Sequence, residues 1–163
     1  MNEKELSREQ ILDEVRNSPH NRIKVAITDI DGVLRGKLMR KDKFLSAVEG
    51  GFGFCDVVFG WDSSDVAYDN ATYTGWHTGY PDAQARIDLS TFRLVPWDDD
   101  VPFFLADFVD EKEKPLGVCP RSLLKTVKAK SESMGYKPFF SQEFEWFNFA
   151  ENADELYAKD FTN

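Results

Sequence analysis

Residues 22–40 read RIKVAITDIDGVLRGKLMR and predict two strands joined by a tight turn. Apolar residues alternate with polar ones in the first half of this stretch, which places them on one face of a strand: Ile23, Val25 and Ile27. Asp31-Gly32 is a dipeptide typical of tight hairpin turns, and residues 33–40 return as the second strand. The stretch therefore predicts an antiparallel hairpin.

Length and composition bound the class of protein. With 163 residues, 42% of them hydrophobic and 14% aromatic, the chain is long enough for one domain, or one domain and part of another. A net charge of −9 argues against nucleic acid and against an anionic membrane as partners. Because the sequence has no apolar run long enough to span a bilayer and no signal peptide at its N-terminus, it predicts a cytoplasmic protein.

Three segments predict helices. The first covers residues 7–17 and begins with Ser7 and Gln10 as a capping box, and the second covers residues 43–49. The third starts at a proline and covers residues 120–134. Its apolar side chains recur at helical spacing and are expected to face inward: Leu123, Leu124 and Val127.

The rest of the chain predicts further strands and one long loop. Apolar alternation indicates strands over residues 85–95 and 101–109. Residues 52–82 lack a period, apart from a possible short strand at 57–59, and loops of this length often carry function. Together with the hairpin and the helices, these segments predict an α+β fold with a small mixed sheet.

Residues 141–149, SQEFEWFNF, contain no Gly or Pro and predict a strand that is apolar on both faces, hence buried. Glu143 and Glu145 are two residues apart and share a face of that strand. Buried neighbouring carboxylates repel unless one is protonated or a cation binds, and oxygen ligands suit Mg²⁺ or Mn²⁺. The pattern predicts a divalent-cation site. The alternative is a pair that is solvated, or bridged by Arg and Lys, at the mouth of the sheet.

Residues 25–33, VAITDIDGV, resemble the motif of aspartate-nucleophile phosphatases, in which the first Asp attacks phosphorus beside Mg²⁺. That hypothesis makes Asp29 the nucleophile and requires a parallel sheet. The alternative is a turn dipeptide preceded by Asp29 as a solvated edge residue. Residues 35–37, RGK, allow two interpretations: a site that binds an anion, or basic side chains that are simply solvated.

The loop segment at residues 59–65, FGWDSSD, places acids and hydroxyls beside a Trp. Such a group can hold a cationic substrate by its charge and by an aromatic face. The alternative is a surface turn in which an Asp side chain bonds to the backbone that follows it. Both interpretations stay open on these residues alone.

Taken in order, these segments resemble the N-terminal part of the glutamine synthetase family. Each motif is short, but all six follow the order of the family over residues 22–150. The matching stretches are DIDGVLRGK (29–37), WDSS (61–64), YPDA (80–83), the apolar strand 103–109, PRSLL (120–124) and EFEWFNF (143–149).

The resemblance implies a β-grasp-like mixed sheet with short helices, followed by the first helix and strand of a truncated catalytic α/β domain. It divides the chain into an N-terminal helical extension (residues 1–20), a β-grasp domain (21–112) and the beginning of the catalytic domain (113–163). It also implies a longer protein that forms a homo-oligomer, of which this piece alone is expected to be inactive.

By the same resemblance, Glu143 and Glu145 bind Mg²⁺ or Mn²⁺, and Asp62 is a catalytic residue that binds and deprotonates ammonium. The substrates are then glutamate, ammonia and ATP, joined through an acyl phosphate, with most of the ATP pocket outside this chain. Trp61 and Ser63 replace the Phe and Gly of the family, and residues 66–79 are rich in aromatics, so a small organic amine is an alternative substrate. A non-catalytic β-grasp interaction module is the remaining alternative.

Overall fold

The computed structural model describes residues 6–162, and the chain divides into two compact units, Met1–Lys130 and Ser131–Asn163. The helices and strands follow in chain order: α1 (Arg8–Asn17), β1 (Arg22–Thr28), β2 (Leu34–Arg40), α2 (Lys41–Gly50), β3 (Phe52–Cys55), β4 (Asp82–Val95), β5 (Val101–Val109), α3 (Pro120–Ser133) and α4 (Ala153–Ala158). The domain boundaries expected after residues 20 and 112 stay a prediction. Among the described residues, no helix has the length and apolar character needed to cross a membrane.

The first unit contains a five-stranded mixed sheet in the order β2-β1-β5-β4-β3. The central strands β1 and β5 pair in parallel, whereas the other neighbours are antiparallel. Helices α1 and α2 contribute buried side chains to the same core as the sheet. The predicted α+β fold with a β-grasp-like mixed sheet is therefore confirmed.

The hairpin forms as its sequence predicts. Strands β1 and β2 pair in register from Arg22 opposite Arg40 to Thr28 opposite Leu34. Gly32 lies in the turn with φ +81°, a conformation that favours glycine, so the turn dipeptide is confirmed. The alternating apolar residues of β1 are fully buried.

The core lies between one face of the sheet and the two helices. Aromatic rings fill its centre, and Phe44 of α2 lies 4.7 Å, centroid to centroid, from Phe104 of β5. The Ser7–Gln10 capping box of α1 is present, and its apolar stripe is buried: Ile11, Leu12 and Val15. Burial of these side chains is the main force that orders the sheet and the helices.

The sheet curls so that its two edges approach each other. Lys37 Nζ on the β2 edge lies 4.6 Å from the ring centroid of Phe54 on β3, and it donates to the Gly53 carbonyl at 3.3 Å. A cation over an aromatic face is an attractive contact. Lys37 is exposed to solvent, as one of the two readings expected, and it also links the opposite edges of the sheet.

Two local predictions in the 52–82 segment are wrong. Residues 52–55 form the short strand β3, which the aperiodic sequence did not indicate. The predicted strand at 57–59 is instead part of a 3₁₀ turn at Asp56–Phe59, whose Val58 and Phe59 side chains are buried. Tertiary packing overrides the β-propensity of an apolar run this short.

Helix α3 forms where predicted, but its apolar side chains do not face inward. Leu123, Leu124 and Val127 are each more than half exposed. The face that meets the sheet carries Arg121 and Lys125, one turn apart, which pair with carboxylates of β4 and β5. The ion pairs, rather than the leucines, set the orientation of this part of the helix.

The predicted buried strand at residues 141–149 is absent. These residues form neither helix nor strand and are all exposed, and Trp146 and Phe147 retain more than two thirds of their accessible surface. A strand needs a neighbour that pairs with its backbone groups. Within residues 131–162, α4 is the only regular element besides the end of α3, so the segment has no strand to pair with there.

Candidate functional site

The loop that follows the 3₁₀ turn is tied to the core at several points. Thr74 Oγ1 donates to Asp56 Oδ1 at 2.5 Å, and both residues are buried. The Phe59 ring packs edge-on against Tyr73, with the centroids 5.7 Å apart. A Cβ atom at Gly60 would lie 2.8 Å from the Thr74 methyl group, so this approach requires glycine. The loop is therefore a folded part of the first unit.

Asp62 closes a small turn near the start of this loop. Its Oδ1 accepts hydrogen bonds from the backbone amides of Ser64 at 2.8 Å and Val66 at 3.0 Å. The other oxygen, Oδ2, accepts no hydrogen bond from residues 6–162, and the residue is half-buried. The turn interpretation is confirmed, and the turn leaves one carboxylate oxygen of Asp62 available for a ligand.

Asp29 is completely buried, and its hydrogen bonds use both carboxylate oxygens. Oδ1 accepts from the amides of Asp31 and Val33 at 3.0 and 2.8 Å, and Oδ2 accepts from Arg35 Nε at 2.7 Å. A phosphatase nucleophile must reach a substrate, and this carboxylate cannot. The phosphatase hypothesis and the interpretation of Asp29 as a solvated edge residue are both wrong, because the turn amides enclose the side chain.

Arg35 connects this buried carboxylate to the loop. Its Nη1 lies 2.5 Å from Asp65 Oδ1, and its Nη2 donates to the Asp62 carbonyl at 3.3 Å. Its guanidinium carbon lies 4.9 Å from the centroid of the Trp61 ring, so Arg35 covers an aromatic face considered for a substrate cation. The hydrogen bond to Asp29 is the main reason that the pKa of Arg35 is raised. The expectation of an anion site or a solvated side chain is wrong for Arg35.

The carboxylates around the loop create a negative potential. The pKa of Tyr68 is raised, first by partial desolvation and then by the charges of Asp31, Asp62 and Asp29. Asp29 is paired with Arg35, so among the described residues Asp31 and Asp62 are the two of these carboxylates whose charge no ion pair offsets. A small cation near Asp62 is favoured by the same field.

Glu143 and Glu145 lie in the second unit. Both are exposed, and neither forms a hydrogen bond or an ion pair with any residue that the structure describes. Their carboxylates fit the oxygen chemistry of Mg²⁺ or Mn²⁺, although two side chains supply only part of a usual shell of six or more ligands. Across residues 6–162, no cluster of three or more acidic, His or Cys side chains is placed to hold a metal ion.

A second charged cluster holds α3 against the sheet. Arg121 bonds to Asp107 at 2.6 Å and to Asp88 at 2.8 Å, and Lys125 bonds to the same two carboxylates at 2.5 and 2.7 Å. Burial acts to raise the pKa of Asp88, but hydrogen bonds from Lys125, Ser90 and Arg121 outweigh it and hold the pKa well below its usual range. The cluster is structural, because its charges satisfy one another.

The sequence did not predict either the Asp29–Arg35–Asp65 bridge or the α3 cluster. A signal for the first exists in the hairpin, since a residue just after β1 and one at the start of β2 lie near each other across the turn. The α3 cluster has a weaker signal, namely two basic residues at helical i,i+4 spacing. Their partners on separate strands are not readable from spacing.

The chain is similar to known ligases. It is 52% identical over 153 residues to type-1 glutamine synthetase 2 of Dictyostelium discoideum, covering 94% of this chain and 29% of that protein. It is 40% identical over 126 residues to a glutamate–isopropylamine ligase of a Pseudomonas species, covering 77% of this chain and 28% of that protein. No protein-family model matches.

The fold is also found in solved structures. Glutamine synthetase of Plasmodium falciparum, determined by cryo-electron microscopy, superimposes with a TM-score of 0.56 at 18% identity, over 83% of this chain and 24% of that one. The chain belongs to the glutamine synthetase family. It spans less than a third of the length of the curated relatives described above.

Proposed function

We propose that this chain is the N-terminal part of an ATP-dependent ligase that joins ammonia to the side-chain carboxylate of glutamate through an acyl phosphate. The observation that carries the proposal is the Asp62 carboxylate, with one oxygen fixed by two backbone amides and the other free. A carboxylate of this kind can bind ammonium and accept a proton from it. The nearby charge of Asp31, which pairs with no cation among the described residues, adds to the attraction for a cation.

Glu143 and Glu145 are proposed as ligands for one or both divalent cations of the complete site. They are exposed and unpaired among the described residues, so no ion pair competes with a metal for their oxygens. When bound, Mg²⁺ or Mn²⁺ would spread the charge of the phosphoryl group during transfer. The protein's own part in this step is to supply two carboxylate oxygens.

The proposed partners are glutamate, ammonia and ATP, and the complete protein is proposed to form a homo-oligomer in the cytoplasm. The described residues include one carboxylate proposed to bind the amine, Asp62, and two proposed to bind metal, Glu143 and Glu145. With no cluster of three metal-ligating side chains among those residues, we expect the 163-residue chain alone not to turn over.

The test uses the protein encoded by the complete reading frame and measures phosphate release that depends on ATP, glutamate and ammonium. Asp62→Asn removes the charge that attracts ammonium, so we expect a loss of about 100-fold in kcat/KM for ammonium. Glutamate-dependent phosphate release without amine should change little. Asp69→Asn, which makes the same change at an exposed position of the same loop, is the control. Wild-type kcat/KM in Asp62→Asn would overturn the role of Asp62.

A second candidate substrate is a small organic amine. Tyr68 and Tyr73 lie in the same loop as Asp62, and one relative is named for isopropylamine. The same assay with isopropylamine distinguishes the two. A higher kcat/KM for isopropylamine than for ammonium would make the protein a γ-glutamyl-amine ligase.

A further inference from the structure

Among the described residues, Arg35 is the only side chain with hydrogen bonds or ion pairs both to Asp29 and to the loop that carries Asp62. Its three nitrogens reach three different groups: Nε bonds to Asp29, Nη1 to Asp65 and Nη2 to the Asp62 carbonyl. The side chain is only 19% exposed, although it lies at the surface end of the hairpin.

One end of this bridge is rigid. Asp29 is fully buried and is held by two turn amides as well as by Arg35, so it cannot rotate without breaking several bonds. The guanidinium group is planar and its donors have a fixed geometry. The position of Asp29 therefore sets the plane in which Arg35 meets the loop.

The other end of the bridge is the turn itself. Asp65 has φ +64°, a left-handed conformation uncommon for a residue other than glycine, and its amide bonds to the Asp62 carbonyl at 3.1 Å. Arg35 binds that carbonyl and the Asp65 carboxylate, so it holds both ends of this segment. The same segment aims the free oxygen of Asp62.

We propose that Arg35 is a positioning residue that fixes the turn at Asp62 and thereby the direction of its free carboxylate oxygen. The inference deepens the proposed function, on which its catalytic consequence rests. It predicts that the order of the turn depends on the guanidinium fork and not merely on a positive charge at position 35.

The first test measures amide hydrogen exchange in the 163-residue chain. Arg35→Lys keeps a charge for Asp29, but it loses the fork that reaches Asp65 and the Asp62 carbonyl. We expect exchange at the Ser64 and Val66 amides to become about tenfold faster, with the amides of β1 unchanged. Arg40→Lys is the control, because Arg40 is exposed and, among the described residues, its side chain pairs with Asp42 alone.

Two outcomes of this test would overturn the inference. Unchanged exchange at Ser64 and Val66 in Arg35→Lys means that the turn holds itself without the fork. Equal acceleration in β1 and in the turn makes Arg35 a general stabilising residue. Asp65→Asn provides a second variant, which removes the negative charge from this end of the bridge without touching the buried Asp29, and it should also accelerate exchange at Ser64 and Val66.

The second test uses the complete protein. In Arg35→Lys we expect KM for the amine to rise about tenfold while KM for glutamate stays unchanged. An unchanged amine KM in this variant would overturn the catalytic consequence. If the wild-type protein shows no amine-dependent phosphate release, the proposed function fails, and the exchange experiment still decides the role of Arg35 in the turn.

Discussion

The hairpin at residues 22–40 and the segment at residues 141–149 each combine hydrophobic residues with acidic ones, but their acidic side chains differ in burial and in hydrogen bonding. Asp29 is buried and fully bonded, whereas Glu143 and Glu145 are exposed and unpaired among the described residues. The two regions differ in how far along the chain the hydrogen-bond partners lie. The partners of the Asp29 side chain lie within six residues of it, in the turn and at the start of β2.

Whether an acidic side chain is buried or exposed therefore depends on how close in sequence its partners are. A turn supplies amides at fixed offsets, so it can bury a carboxylate as soon as the hairpin forms. A strand that carries two carboxylates needs neighbouring strands before it can bury anything. Hydrophobic composition alone does not distinguish the two cases.

The largest expected effect is on Asp29. Asp29→Ala leaves the turn amides and Arg35 without their buried acceptor, so we expect the free energy of unfolding to fall by about 4 kcal/mol. The measurement is urea unfolding followed by circular dichroism. Asp31 is an exposed carboxylate in the same turn, so Asp31→Ala should change the free energy of unfolding by less than about 0.5 kcal/mol. Equal effects of the two substitutions would mean that the buried hydrogen bonds of Asp29 do not stabilise the hairpin.

A smaller effect is expected at Asp88, whose partners are distant in sequence. Since its pKa is lowered on folding, Asp88 stabilises the fold above its unfolded pKa of about 3.9, and this contribution disappears as the pH falls through the folded pKa. Asp88→Asn should therefore lower the free energy of unfolding by about 2 kcal/mol at pH 6. Unfolding curves measured at a series of pH values test this. The difference in free energy of unfolding between the wild-type protein and Asp88→Asn should shrink as the pH falls below about 4.

Asp69→Asn serves as the control for that series, because Asp69 is exposed and forms no ion pair among the described residues. A constant difference between wild type and Asp88→Asn from pH 6 down to the acid transition would show that the charge of Asp88 does not act through its ion pairs.

The smallest expected effect on stability is at residues 143 and 145. Glu143→Gln together with Glu145→Gln should change the free energy of unfolding by less than about 0.5 kcal/mol, because neither side chain has a partner to lose among the described residues. In the complete protein the same double change should weaken Mn²⁺ binding at least about tenfold, since two anionic ligands are lost. Mn²⁺ titration measures this, with Glu111→Gln as the control.

A large loss of stability in the double variant would contradict the expectation that these two carboxylates have no structural role. It would mean that the two carboxylates have structural partners in the complete protein, as Asp29 has in the hairpin. Unchanged Mn²⁺ affinity would remove the metal proposal for this pair.

Much of the fold could be predicted from the sequence. The hairpin, the capping box at Ser7 and strand β5 follow from periodicity and turn chemistry, which act over a few residues. Strand β3 could not be predicted in this way, because its four residues carry no clear alternation and are ordered by pairing with β4. Such a short strand depends on a neighbour that is far away in sequence.

In the candidate site, too, local features could be predicted from the sequence and long-range contacts could not. Asp62, Glu143 and Glu145 were expected from short motifs in a particular order, and their roles stay predictions. The turn at Asp62 follows from local side-chain-to-backbone bonds, which sequence can indicate. Arg35, which is bonded to Asp29, also bonds to the Asp62 carbonyl 27 positions further along the chain. No local sequence pattern indicates this connection.

The position of the hairpin turn, the buried face of β1 and the start of α3 could be predicted from the sequence, because these depend on neighbours a few residues away. The bridge from Arg35 to the Asp62 loop and the contact of α3 with the sheet through Arg121 could be seen only in the folded protein. Those outcomes depend on which charged groups come within hydrogen-bond distance after the strands pair. Spacing in the chain does not contain that information.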